Sequence, residues 1–188
     1  PLACAPGGTR GAGQHAGRRL LAVFFVVLGV VTKAGLFPMH NWLPSAHPVA
    51  PAPASALLSG IITKAGVIGI IRVLYFIAGP SALRGTWVQT ACLVLALGTV
   101  FMGSMLAYGE RDFKKRLAYS SISQISYVLT ALFLLTEDGL TGGLLQVFFH
   151  AWAKIGLFLI SGVLIHLAGP RNVADFRGLG RRLPVTFL

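Results

Sequence analysis

Three lysines, Lys33, Lys64 and Lys154, stand inside apolar runs long enough to enter a bilayer, and the chemistry of this sequence starts with them. A lysine at the centre of a membrane helix costs about 2.5–3.5 kcal/mol on insertion scales, so lysines kept there face a polar interior, a hydrated path or a partner. Lys64 lies near the middle of SALLSGIITKAGVIGIIRVLYFIAG and Lys154 near the middle of LLQVFFHAWAKIGLFLISGVLIHLAG. Lys33 sits late in the first apolar run, just ahead of Gly35 and Pro38. The chemistry open to such groups is proton exchange. An ammonium with an ordinary pKa near 10.4 gives up its proton near neutral pH only where its surroundings disfavour charge. Burial and a neighbouring cation act in that direction, and an approaching carboxylate restores the charge. His150, one turn from Lys154, titrates ordinarily near 6.5 and is a natural relay partner.

Spacing gathers more polar residues onto the same faces. Gln146, His150 and Lys154 follow at i, i+4 and i+8, with Ser161 a further seven residues on. Ser120, Gln124 and Tyr127 repeat at i, i+4 and i+7, and Ser59 and Thr63 lie a turn apart beside Lys64. Three helices thus offer polar stripes toward a common axis, lining for a hydrated path. The competing reading is snorkelling, in which a long side chain runs to the interface; it suits Lys33, near a helix end, better than Lys64 or Lys154. His40 and His47, beside Trp42, read as interfacial or loop residues, and Arg72 as an interface anchor.

The elements that must position these residues follow from composition. The chain of 188 residues is 55% hydrophobic and 11% charged, with a mean hydropathy of +0.75, which excludes an ordinary soluble domain and a soluble enzyme. Five stretches approach the length needed to cross a bilayer, over about 20–37, 54–78, 87–109, 117–135 and 143–168. The fold expected is all-α: a polytopic membrane helix bundle of about five transmembrane helices. Pro38, Pro44, Pro48, Pro51 and Pro53 crowd the residues after the first span, and each removes a backbone donor and restricts its predecessor. The first helix is therefore expected to break near Gly35–Pro38. Broken backbone at membrane depth is tolerated where protein or a hydrated cavity satisfies the freed groups, as at transporter ion sites. A surface loop rich in proline turns is the alternative.

Residues 1–17, rich in Gly, Ala and Pro, read as a loose, disordered tail, residues 18–170 as the transmembrane region, and 171–188 as a basic segment. Arg18-Arg19 before LLAVFFVVLGVV has the outline of a signal sequence, but no small-residue cleavage site follows. The net charge of +11 is spread in short segments between apolar runs, so it reads as a topology signal and not as a nucleic-acid surface. Arg10, Arg18, Arg19 and Arg84 fall on one side of five spans. Arg111, Lys114, Lys115, Arg116, Arg171, Arg177, Arg181 and Arg182 fall on the other, which places the third loop and the C-terminal segment in the cytoplasm. Cys4 and Cys92 have no paired spacing, and no glycine-rich fingerprint or cysteine cluster is present, so no metal, flavin, nicotinamide, haem or iron–sulfur cofactor is expected.

The run TKAGLFPMHNWLPSAH, followed by APASALLSGIITKAGVIGIIRV, closely resembles the seventh and eighth helices of the antiporter-like membrane subunits shared by respiratory complex I, membrane-bound hydrogenases and Mrp cation/proton antiporters. RDFKKRLAYSSISQISYV resembles that family's loop and tenth helix, and FFHAWAKIGLFLISG its eleventh, so the likeness covers about residues 20–184. The resemblance implies that Lys33 is the central lysine on a discontinuous helix, Lys64 the lysine of the next helix, and His150 with Lys154 the relay toward a second half-channel. It also implies an inverted-repeat fold of which this chain holds the end of one repeat and the start of the next. The family's glutamate on an earlier helix and its later discontinuous helix have no counterpart here, Ser45 replaces a common acidic residue, and the Gly-rich beginning is unlike the family's sixth helix. A fragment is therefore expected, with residues 171–188 leading to a missing next helix.

What the resemblance implies for function is a proton-translocating, non-redox subunit of a redox-driven complex of the NADH-quinone oxidoreductase or hydrogenase type. The expected setting is a bacterial or archaeal cell membrane, among other membrane subunits. A multisubunit Na+/H+ antiporter of the Mrp type is the alternative, and an inert membrane scaffold, its lysines paired with a partner's acids, is a third.

Overall fold

The computed structural model describes residues 9–169 and 172–176; among these the chain is helical, with one isolated bridge between Asp112 and Asn172 in place of any sheet. Helix α1 runs Thr9–Ala34. This corrects the expected loose tail for residues 9–17, which are helical; residues 1–8, 170–171 and 177–188 lie outside the described residues. No proline stands between Pro6 and Pro38 to interrupt the ladder, so the helix continues through the glycines of this stretch.

The expected break is present. Gly35 adopts φ +86°, a left-handed conformation natural to glycine, and its N–H closes α1 on the Val31 carbonyl at 3.0 Å. Groups freed by the break find protein partners: the Trp42 indole donates to the Thr32 carbonyl at 3.0 Å, and the Phe37 N–H donates to Thr99 Oγ1 at 3.2 Å. A short helix α2, Trp42–Val49, follows, with Pro44 in its first turn, where a missing N–H costs little. Helix α3 spans Ala52–Ala78 with Pro53 in its first turn, and it widens to π-helix over Leu58–Ile62 and Arg72–Ala78.

Helix α4, Trp87–Gly109, has the limits expected from its apolar run. Helix α5, Phe113–Phe133, starts at Asp112, whose carboxylate accepts from the Lys115 N–H at 3.1 Å. Helix α6, Glu137–Ala168, is capped by Thr136 and ended by Gly169 at φ +72°; it starts before the expected span and takes Glu137 and Asp138 into its first turn. A 3-10 turn covers Val173–Phe176.

Among the described residues three helices, α3, α4 and α6, are long and apolar enough to cross a membrane by length and composition. Helix α5 carries Ser120, Ser121, Ser123, Gln124 and Ser126, yet it packs against α2, α4 and α6 and buries side chains on most of its circumference. A helix enclosed by protein meets few lipid tails, so its polar groups need partners and not an apolar coat. The main core joins α1, α3 and α5 through Val27, Val31, Val67, Ile70, Ile125 and Leu129. Close approach of α1 to α3 depends on Gly66, where a Cβ would lie 3.0 Å from the Ala34 nitrogen. The polytopic bundle stands as expected, and the protein is an integral membrane protein.

Connections sort to two ends. Lys114 Nζ donates to the Ala50 carbonyl at 3.0 Å and the Val173 N–H to the Arg111 carbonyl at 3.0 Å, which joins the first connection, the third connection and the segment after α6. At the other end Arg84 Nε donates to the Leu135 carbonyl at 3.0 Å, joining the second and fourth connections.

Candidate functional site

The interior between α3, α5 and α6 holds two of the three lysines. Lys64 is 6% exposed and Lys154 5%, far below what a lysine accepts unless its ammonium is satisfied. Lys64 Nζ donates to the Ser59 carbonyl one π-turn back on its own helix. That carbonyl is free because the Thr63 N–H reaches to Leu58 across the widened turn, and Thr63 Oγ1 also donates to it at 3.1 Å. Lys154 Nζ crosses to α5, where it donates to the Leu117 carbonyl at 3.1 Å and to the Ser120 hydroxyl. Among the described residues no carboxylate pairs with either lysine.

His150, 6% exposed, lies within electrostatic reach of both lysines, and neither of its ring nitrogens has a hydrogen-bond partner. Lys64 and Lys154 also act on one another. The polar stripes do converge: Ser59 Oγ meets Ser121 Oγ at 3.0 Å between α3 and α5, and Gln146 Nε2 donates to Gln124 Oε1 at 2.8 Å between α6 and α5. Ser121 in turn donates to the Leu117 carbonyl at 2.9 Å, the same acceptor that holds Lys154. Hydrogen bonds through Ser59, Ser121 and the Leu117 carbonyl thus connect the Lys64 turn of α3 to Lys154.

Two of the expected residues are elsewhere. Lys33, at the end of α1, is exposed and has no hydrogen bond among the described residues, although Ala34 beside it touches α3 at Gly66. Tyr127 is 51% exposed on α5: it lies about 20° round the helix from the half-buried Ser120, on the edge of the packed face, while Ser123 and Ser126 lie further round and are buried.

One residue was read from the sequence as a loop histidine and is not one. His47 of α2 is wholly buried, its ring stacked on Phe158 of α6 with centroids 4.5 Å apart and planes 14° from parallel. Both its nitrogens lack partners, and Lys154 and Lys114 act on it electrostatically. Proline density points to an exposed loop, and the burial of His47 comes from its contact with α6, which the local sequence does not encode. Such an array of buried basic groups, hydroxyls and unpartnered imidazoles can pass protons, and among the described residues no group of three or more His, Cys, Asp or Glu gathers to hold a metal ion.

Known proteins resemble this chain in sequence and in fold. The family described as "NADH:quinone oxidoreductase/Mrp antiporter, TM" matches residues 9–188. NADH-quinone oxidoreductase subunit N of Desulforudis audaxviator is 37% identical over 167 residues, covering 89% of this chain and 33% of the relative. Hydrogenase-4 component B of Escherichia coli is 35% identical over 179 residues, covering 88% of this chain and 26% of the relative. A solved structure of the Mrp complex from Dietzia sp. DQ12-45-1b superposes with a TM-score of 0.81 at 30% identity, over 88% of this chain and 30% of that one. The chain spans a third or less of the length of these relatives. With four motifs in order, a broken first helix and lysines buried on α3 and α6, the chain belongs to the transmembrane family of NADH:quinone oxidoreductase and Mrp antiporter subunits.

Proposed function

We propose that the protein moves protons within a redox-driven membrane complex of the NADH-quinone oxidoreductase or hydrogenase type, through Lys64, His150 and Lys154. The observation that carries this reading is the burial of two lysines on carbonyl and hydroxyl acceptors with an unpartnered imidazole in reach of both. Neutral acceptors hold an ammonium without cancelling its charge, so each lysine responds to the charge of the other. Ser59, Thr63, Ser120, Gln124 and Gln146 line the route. Lys33, exposed beside the helix break, awaits an acidic partner from outside the described residues. Electron transfer belongs to other subunits, with which this chain assembles in a bacterial or archaeal cell membrane. The end bearing the third connection faces the cytoplasm by its Lys/Arg excess.

The test is Lys64→Ala and Lys154→Ala in the assembled complex, reconstituted in vesicles. Proton pumping is expected to fall at least tenfold while the subunit still assembles; pumping at the original rate removes the relay. The likeness to the Mrp structure supports a second reading, a subunit of a Na+/H+ antiporter. Quinone-dependent oxidation by the isolated complex favours the first reading, and rescue of sodium-sensitive cells without such oxidation favours the second.

A further inference from the structure

The relay reading leaves open how the buried groups meet water. At the end bearing the third connection, His47 is the buried group that the relay does not yet use. Its ring is immobilised against Phe158, and both nitrogens are idle. A buried donor or acceptor without a partner has lost its hydration with nothing in return. A ring that carries two such atoms marks a place where water or a transferred proton enters.

The surroundings of His47 have a direction. On the inner side stands Lys154, the last lysine of the relay, and toward the membrane surface stands Lys114, and both act on the ring. The next residue, Pro48, lines a cavity of about 60 Å³ together with Asp112, Lys114 and Ile165. That volume has room for water. The cavity wall is fixed: Lys114 Nζ is held by the Ala50 carbonyl, and Ser55 Oγ donates to the His47 carbonyl at 3.2 Å. A carboxylate, an ammonium and water-sized space at one opening form a polar mouth at the end of an otherwise apolar bundle.

We propose that His47 is the proton-exchange site joining the buried relay to water at the end bearing the third connection, an assignment that rests on the relay reading above. In the outward step the Lys154 ammonium gives one proton, directly or through a water, to the free ring nitrogen and becomes a neutral amine. The resulting imidazolium releases the proton on its other nitrogen to water in the Asp112–Lys114 cavity and becomes neutral again. Water then moves the remaining proton from one ring nitrogen to the other, which restores the first tautomer with the stack on Phe158 kept, and the free nitrogen faces Lys154 once more. Uptake is the same sequence reversed, and no electron changes place. Flanked by two lysines, the imidazolium is a species to pass through and not a resting store of charge.

The experiment compares His47→Asn, His47→Phe and Lys154→Met in the chain's own membrane complex, in vesicles, with assembly followed on native gels. Asparagine keeps a polar group and phenylalanine keeps the stack on Phe158, and neither titrates. Both are expected to assemble and to lower proton flux at least tenfold, as Lys154→Met does. Flux above half the original in either His47 variant overturns the assignment. If Lys154→Met also keeps its flux, the relay reading falls with it; if Lys154→Met alone loses flux, only the role of His47 falls. Should the His47 variants fail to assemble, Ile165→Cys decides. A cationic methanethiosulfonate on that residue is expected to cut flux at least tenfold relative to the equally treated parent, and complete labelling without loss overturns the exchange route.

Discussion

At the residue scale, Lys64 and Lys154 are held by a carbonyl and by a carbonyl with a hydroxyl, and this choice of acceptor decides what they can do. A carboxylate would lock each in the charged form, whereas neutral oxygens leave protonation to the neighbours. Ser120→Ala would leave Lys154 with the Leu117 carbonyl alone. A hydrogen bond to a charged group is worth about 1.5–3 kcal/mol, so proton flux through the assembled complex is expected to change by about tenfold or more, and an unaltered rate places Ser120 outside the path. Helical spacing singles out Ser59, Thr63, Ser120, Gln124 and Gln146 because each repeats with another polar residue inside its own helix. It did not find Ser121 or His47, whose importance comes from contacts made by other helices. Ser121 matters through Ser59, and His47 through Phe158, both far along the chain.

At the element scale, what was legible depended on whether a segment's own sequence set its limits. Helix α4 is an unbroken apolar run between Gly85 and Glu110, and its expected and observed limits coincide. Helix α1 reaches back to Thr9 because a helix continues through weak formers where no proline stops it, a cooperative effect that composition alone hides. The prolines after α1 gave the break correctly but concealed α2, since proline is admitted in a first turn. The break itself is expected to be sensitive at two points. Gly66→Val would drive a branched side chain into the α1 backbone at Ala34, with a loss of about 1–3 kcal/mol from overpacking. Thr99→Val would leave the Phe37 N–H without its acceptor, for about 1–3 kcal/mol. Thermal denaturation of the solubilised protein should show both as lower midpoints. An unchanged midpoint for Thr99→Val would mean that water already satisfies that amide.

At the scale of the whole molecule, the hydrogen bonds between connections divide the loops into two sets, and this gives the charge pattern a geometric meaning. Lys114, Arg111 and the segment at Val173 meet at one end, while Arg84 and Leu135 meet at the other. If the basic end faces the cytoplasm, as the Lys/Arg excess proposes, single cysteines on the two sets must differ in access. Ser81 and Arg111 are both exposed, on the second and third connections, so a thiol at either is reachable from its own side. In intact cells a membrane-impermeant maleimide should label Ser81→Cys and should spare Arg111→Cys until the membrane is opened. The opposite pattern inverts the orientation but leaves the bundle as described. Labelling of both in intact cells would contradict the separation of the two sets of loops, and with it the reading of Lys64, His150 and Lys154 as groups inside a membrane.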